Sequence, residues 1–452
     1  MEIFIVLVFV LGYAAITMEH NFKVDKLIPA LLMMVLAWAG VSIGMNGFTE
    51  WFDSVNQRVF SIVGLDSLAK GELFQNTLLH HLGTTSEILV FLIGAMTIVE
   101  IIDHFNGFST IKTFVHTHKK RKLLWVIACL AFILSSIIDN LTATIVLITI
   151  LRKFLENQED RMWFAGIIII AANAGGAWSP IGDVTTTMLW MGNKVTAAKL
   201  IEYLVLPSIL CLVVPVLIAS FMKPFKGTFE MPNDEDESNP NSKLMFYLGL
   251  IMIISVPIIK ETLNLPPYIG MMLALSVVAL FAEVINQKQH KLALADGSEV
   301  ITGFESPVIK AMSRIEMPSI LFFLGILMTV AALESLGLIF NFGESVQEVM
   351  PRDVFIVLLG VGSAIIDNVP LVAASMGMFD APIDSHIWHF IAFSAGTGGS
   401  MLIIGSAAGV VAMGMERIPF FWYVKKISWL ALIGFLVGCG QILLEAALFN
   451  PS

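Results

Sequence analysis

Residues 123–151 read LLWVIACLAFILSSIIDNLTATIVLITIL, an apolar run interrupted at Asp139-Asn140. The interruption recurs at 354–376, VFIVLLGVGSAIIDNVPLVAASM, where Asp367-Asn368 follow Ser363-Ala364-Ile365-Ile366. A carboxylate inside such a run costs about 2.5–3.5 kcal/mol on insertion scales, so it needs a role. Two copies, one in each half, point to a duplicated ion pathway through a membrane.

Composition agrees. The chain is 57% hydrophobic and 14% charged, with a mean hydropathy of +0.83. Soluble domains carry about 25% charged residues, and several runs here reach the ~20 apolar residues that cross a bilayer. The net charge of −10 gathers in loops, above all in MPNDEDESNPN (231–241), which reads as a solvated linker. Cys129, Cys211 and Cys439 lie far apart in apolar segments and predict neither disulfide nor metal site. No nucleic-acid, Walker or dinucleotide signal is present, and no cofactor is expected. IFIVLVFVLGYAAITM follows Met1-Glu2 without a basic flank or a cleavage site, so it reads as a membrane helix and not as a leader.

Apolar runs and their breakers place crossings near 2–17, 26–46, 86–106, 163–190 and 200–221. After the linker they fall near 243–260, 267–286, 319–340, 387–413 and 428–448. The run 123–151 is too long for one ordinary crossing and suits a re-entrant helical hairpin, as does 353–376. Such broken backbone survives at membrane depth only where protein or a cavity surrounds it. The expected fold is therefore an all-α polytopic membrane protein of two repeats, 1–222 and 243–452, joined by the cytoplasmic linker 223–242. Each repeat holds five crossings and a hairpin, and an odd number of crossings inverts the second against the first, as in many secondary transporters. Phe91-Leu92-Ile93-Gly94-Ala95-Met96-Thr97 echoes Phe323-Leu324-Gly325-Ile326-Leu327-Met328-Thr329, and Asp103 falls opposite Glu334. With both termini outside, most of the 26 Lys and Arg residues fall in cytoplasmic loops. Arg58, Lys70, Lys194, Lys199, Lys260 and Arg352 remain outside.

The hairpin tips offer carboxylates at Asp139 and Asp367 and amide oxygens at Asn140 and Asn368, hard ligands that suit a small cation. The competing reading makes the aspartates N-caps, but serine would cap a helix without the charge. In 163–190, Pro180 and Gly182 break the helix. Asn173, Ser179, Asp183, Thr185 and Thr186 cluster at that break. Threonines bonding back to carbonyls explain a kink but leave Asp183 unexplained. The counterpart 387–413 has no acid, only Ser394, Ser400 and Ser406 among glycines, where close helix packing competes with a binding role. Ser363 precedes the second tip. Glu100, Asp103 and Glu334 read as solvated helix ends, and the nine histidines as loop residues without a role.

Three carboxylates, with no basic residue close to the breaks in sequence, argue for a cation and against an anion. A carboxylate can hold a proton or help hold Na⁺, but not readily both; where the empty charged carrier is slow to cross, that competition enforces antiport. The site therefore reads as a small-cation site at Asp139, Asp183 and Asp367. Alternatives are an arsenite or organic-anion carrier, and an intramembrane aspartyl protease, whose Tyr-Asp and Gly-x-Gly-Asp motifs are missing here.

FLIGAMTIVEIID (91–103), SSIIDNLTATIV (135–146), NAGGAWSPIGDVTTTMLW (173–190) and GSAIIDNVPLVAAS (362–375) closely resemble the NhaD-type sodium/proton antiporters of the ion transporter superfamily. The likeness runs from LGYAAITMEHNFKVDKLIPALL (11–32) to the last helix. It implies exchange of Na⁺ and Li⁺ for H⁺ in a bacterial cytoplasmic membrane. It also implies a homodimer in which a scaffold of the first three helices of each half holds an elevator-like transport unit, built of the hairpins and the remaining helices. Related dicarboxylate carriers have neutral tips, from which Asp139 and Asp367 depart.

Overall fold

In the computed structural model, residues 1–17, 24–53, 58–115, 117–229, 240–295 and 306–449 are described. The first half runs α1 (Glu2–Thr17), α2 (Leu27–Gly44), α3 (Ser67–His104), α4 (Lys120–Ile138) and α5 (Asn140–Phe154). It continues through α6 (Gln158–Gly176), α7 (Val184–Met191) and α8 (Ala197–Ser220). The second half runs α9 (Ser242–Leu263), α10 (Pro267–Ala295), α11 (Pro307–Met312), α12 (Met317–Ser335), α13 (Leu338–Val349) and α14 (Arg352–Gly362). It closes with α15 (Asn368–Met378), α16 (His386–Gly398), α17 (Ala407–Glu416), α18 (Phe420–Lys426) and α19 (Ser428–Phe449).

Among the described residues eight helices are long and apolar enough to cross a membrane: α2, α3, α4, α8, α9, α10, α12 and α19. Their outer faces leave Ile251, Ile258, Leu280, Val284 and Leu436 exposed, a surface that lipid covers and water does not. The protein is an all-α polytopic membrane protein. A small antiparallel hairpin, β1 (Glu50–Asp53) with β2 (Arg58–Ser61), departs from the purely helical expectation.

Other departures have local causes. The predicted 86–106 is the longer α3, because Asp66 caps its start through the Ala69 amide and nothing beyond Ser67 breaks it. Its first turns carry Lys70, Glu72, Gln75 and Asn76, so hydropathy alone reads it short. The predicted 319–340 divides at Gly337, whose φ of 68° ends the turn after α12 and starts α13. In 123–151 the helix stops at Ile138 and restarts at Asn140, with Asp139 at φ 85° between them. By length and composition α4 alone reaches crossing size. The acidic linker falls mostly outside the described residues, as does His116.

At the centre lie α6 and α16. Every residue from Trp163 to Gly176 and from Ile387 to Gly398 is buried, so these are helices with no lipid-facing stripe along those stretches. They pack on each other, α6 also on α4 and α16 on α14. Around them α2 packs on α12 and α10 on α3, α5 on α17 and α15 on α7, while α8 lies along α19. Every one of these contacts has a counterpart with the two halves exchanged.

Candidate functional site

After α6 the chain turns through Trp178–Gly182 and restarts at Asp183, which precedes α7. The turn must be tight: a Cβ on Gly182 would lie 2.9 Å from the Ser135 carbonyl oxygen. Asp183 is only 5% exposed. Its Oδ1 accepts from Asn140 Nδ2 at 3.0 Å, and its Oδ2 from Asn368 Nδ2 at 3.1 Å and from the Thr185 hydroxyl. Asn140 Nδ2 also donates to Asn173 Oδ1 at 3.0 Å, and Asn173 Nδ2 donates to Ser406 Oγ at 3.0 Å. One polar chain therefore runs from Asn368 through Asp183, Asn140 and Asn173 to Ser406, crossing between the halves at both ends. Hydrogen bonds to a charged group contribute about 1.5–3 kcal/mol each, so this carboxylate is firmly oriented.

The frame holding the chain is built the same way on both sides. Ser135 Oγ donates to the Ala172 carbonyl at 2.6 Å, and Ser363 Oγ to the Ala395 carbonyl at 2.7 Å. Gly405, like Gly182, is pressed against a hairpin backbone, its absent Cβ 2.6 Å from the Ala364 carbonyl oxygen. Asp183 stands before α7 where Ser406 stands before α17 and caps it through the Gly409 amide. The acid thus has a serine at the matching position.

Asp139 and Asp367 reach the same cavity but stand outside the chain of hydrogen bonds. Asp139 caps α5, accepting from the Thr142 amide at 2.8 Å and its hydroxyl at 2.9 Å. Asp367 Oδ1 accepts from the Val369 amide at 3.5 Å, while Oδ2 pairs with Lys26 Nζ at 3.3 Å. The cavity, about 80 Å³, is lined by both tips with Asp183, and on its other wall by Lys26, Phe91, Glu316 and Phe323. The expectation that the breaks have no basic neighbour is corrected here. Lys26 reads in sequence as the flank of a membrane helix, and only the docking of α2 beside the second tip brings its ammonium in.

Of the remaining predicted residues, Thr186, Ser179 and Ser400 serve their own backbone. Thr186 donates to the Asp183 carbonyl, and Ser179 accepts from the Ile181 amide within the turn. Ser400 donates to the Thr397 carbonyl, and Ser394 lies 3.9 Å from Cys439 Sγ. Asp103 is exposed in the last turn of α3, as its reading as a solvated helix end expects, and borders a cavity of about 500 Å³, whereas Glu334, read in the same way, is half-buried and lines one of about 520 Å³. Glu334 shares its cavity with His80, His81 and Lys194. Sequence reasoning missed Lys26, Thr142 and Glu316. The (i, i+3) spacing of Thr142 from Asp139 is a readable capping signal; the other two have none.

A buried polar site where the breaks of several membrane helices meet defines a transport protein of the multi-pass class. The chain matches the citrate transporter family, CitMHS, over residues 13–389. It is 40% identical to sodium/proton antiporter 1 of Arabidopsis thaliana over 98% of this chain and 72% of that protein. It is 29% identical to the Na⁺/H⁺ antiporter NhaD of Vibrio cholerae, with 95% and 89% covered. The crystal structure of the Alcanivorax borkumensis YdaH transporter shares the fold, with a TM-score of 0.58 at 14% identity over 94% of this chain and 99% of that one. The chain belongs to the CitMHS family and, within it, to the NhaD-type sodium/proton antiporters.

Proposed function

We propose that the protein exchanges Na⁺ and Li⁺ for H⁺ by alternating access, with Asp183 as the shared seat of cation and proton. The observation that carries this reading is the pair of amides on Asp183, Asn140 from one half and Asn368 from the other. A carboxylate taken out of water is stabilised by a proton or by a cation, and the two compete for the same oxygens. Asp139 and Asp367 face the same cavity and bring two further carboxyl groups to it, the second paired with Lys26. Asn173, Thr185 and Ser406 hold this geometry, Ser179, Thr186 and Ser400 bond within the turns around it, Ser363 ties the second hairpin to α16, and Ser394 lies within α16 against Cys439.

Exchange of contacts between the halves supports two repeats, 1–222 and 243–452; in this reading they are inverted, with both termini outside, on the odd number of crossings and the distribution of Lys and Arg. The cavity wall supports an elevator-like motion, because Lys26 just before α2 and residues of α3, α9, α10 and α12 line it together with the hairpin tips. In this reading the first three helices of each repeat form a fixed scaffold, and two copies join into a homodimer through it. Transport of an organic anion is disfavoured, since the one ammonium lining the cavity is paired with Asp367.

The test uses everted membrane vesicles with an imposed proton gradient. Addition of NaCl or LiCl should collapse the gradient, whereas citrate should not be taken up in a Na⁺-dependent way. A gradient unmoved by either salt contradicts the assignment.

A further inference from the structure

Lys26 stands immediately before α2, which is packed on α12, yet its ammonium meets Asp367 at the tip that precedes α15. The pair is held but not sealed. Side chains of Lys26 and Asp367 retain 27% and 16% exposure, and both line the cavity beside Asp139 and Asp183. Lys26 Nζ also lies 4.4 Å from the centre of the Phe322 ring on α12, a cation–π contact that gives the ammonium a second partner besides Asp367. The Asp367 end of the cavity therefore holds a carboxylate together with a tethered cation of the protein's own.

We infer that Lys26 is an internal stand-in for the cargo: its ammonium neutralises Asp367 while the carrier is empty, and an entering cation displaces it onto the Phe322 ring. This rests on the reading of Asp367 as part of the cation site. What changes in the cycle is the partner of the Lys26 side chain. Two consequences follow from the electrostatics. The tethered ammonium competes with Na⁺, so it weakens apparent affinity. It also spares the empty carrier an unpaired carboxylate at the tip, so it speeds the return step.

The test is Na⁺-driven exchange in everted vesicles with Lys26→Gln and Lys26→Arg. Lys26→Gln should lower the apparent KM for Na⁺ about two- to ten-fold, the range spanned by a partly exposed and a better buried ion pair. It should lower the maximal rate as well. Lys26→Arg keeps a tethered cation and should shift KM by less. A KM that rises or stays put in Lys26→Gln, with only the rate reduced, assigns Lys26 a structural role and overturns the inference. If Lys26→Gln fails to accumulate, Lys26→Arg decides through its own KM: a shift as large as tenfold contradicts the tethered-charge account. Asp183→Asn run in parallel separates the two claims. Loss of exchange there with an unmoved KM in Lys26→Gln defeats this inference alone, whereas retained exchange in Asp183→Asn defeats the site reading beneath it.

Discussion

At the residue scale, Asp183 is held by amides from both halves of the chain, and that arrangement makes distinct demands of each partner. Asn368→Ala removes a hydrogen bond to a charged group worth about 1.5–3 kcal/mol, so apparent Na⁺ affinity should fall roughly ten- to hundredfold while the protein still accumulates in the membrane. Dose–response curves for Na⁺ in vesicles measure this, and an unchanged KM removes Asn368 from the site. Thr186→Val, by contrast, takes away only a bond to the Asp183 carbonyl and should leave KM within about twofold. Much of the site is readable in sequence because a carboxylate in an apolar run has so few bland explanations: Asp139, Asp183 and Asp367 all reach one cavity. Which of them is central is not readable. Asp139 and Asp367 carry the repeated motif, but a local amide three residues on and a lysine from the opposite end of the chain claim their oxygens.

At the scale of elements, the breaks follow from local chemistry and the tethers do not. Pro180, Gly182 and the Gly398-Gly399 pair announce interrupted helices, and the structure interrupts them there. The start of α3 is hidden because its first turns are polar, and Asp66 in its capping role is visible only in retrospect. Least legible is Glu416 at the end of α17. It is 2% exposed and pairs with Arg152 Nε of the α5 end at 2.6 Å and with Arg161 Nε of α6 at 2.8 Å. In sequence these charges look like ordinary loop residues. Glu416 is buried but Arg152 and Arg161 keep 44% and 19% side-chain exposure, so Glu416→Ala loses charge-assisted hydrogen bonds without stranding a buried charge and should destabilise by about 1.5–3 kcal/mol. Thermal unfolding in detergent should show a clear drop in Tm, and an unchanged Tm contradicts the assignment of these residues as the clamp between α5, α6 and α17. Gly405→Ala tests the other kind of contact. Its Cβ meets backbone oxygen of the second hairpin and cannot be relieved by a rotamer change, so exchange should fall although no site residue is touched.

At the scale of the whole molecule, the two halves supply equivalent frames with unequal chemistry. Ser135 and Ser363 make matching bonds, Gly182 and Gly405 make matching approaches, and Asp183 faces Ser406 across the relation. If the frames are interchangeable, Asp183→Ser should abolish exchange and the double variant Asp183→Ser/Ser406→Asp should recover part of it. A double variant as inactive as the single one argues that the surroundings of the acid, and not only its presence at the junction, are specific to the first half. The asymmetry has a physical sense: a second fully buried acid beside Asp183 would repel it at short range, whereas serine accepts from Asn173 and adds no charge.

The most direct measurement is Na⁺- and Li⁺-induced collapse of a proton gradient in everted vesicles carrying wild-type protein or Asp183→Asn at matched membrane levels. The account predicts collapse by both ions for the wild type and none above the empty-vesicle baseline for the variant, because the amide side chain can hold neither the proton nor the cation's charge. Exchange by Asp183→Asn at the wild-type rate would contradict it.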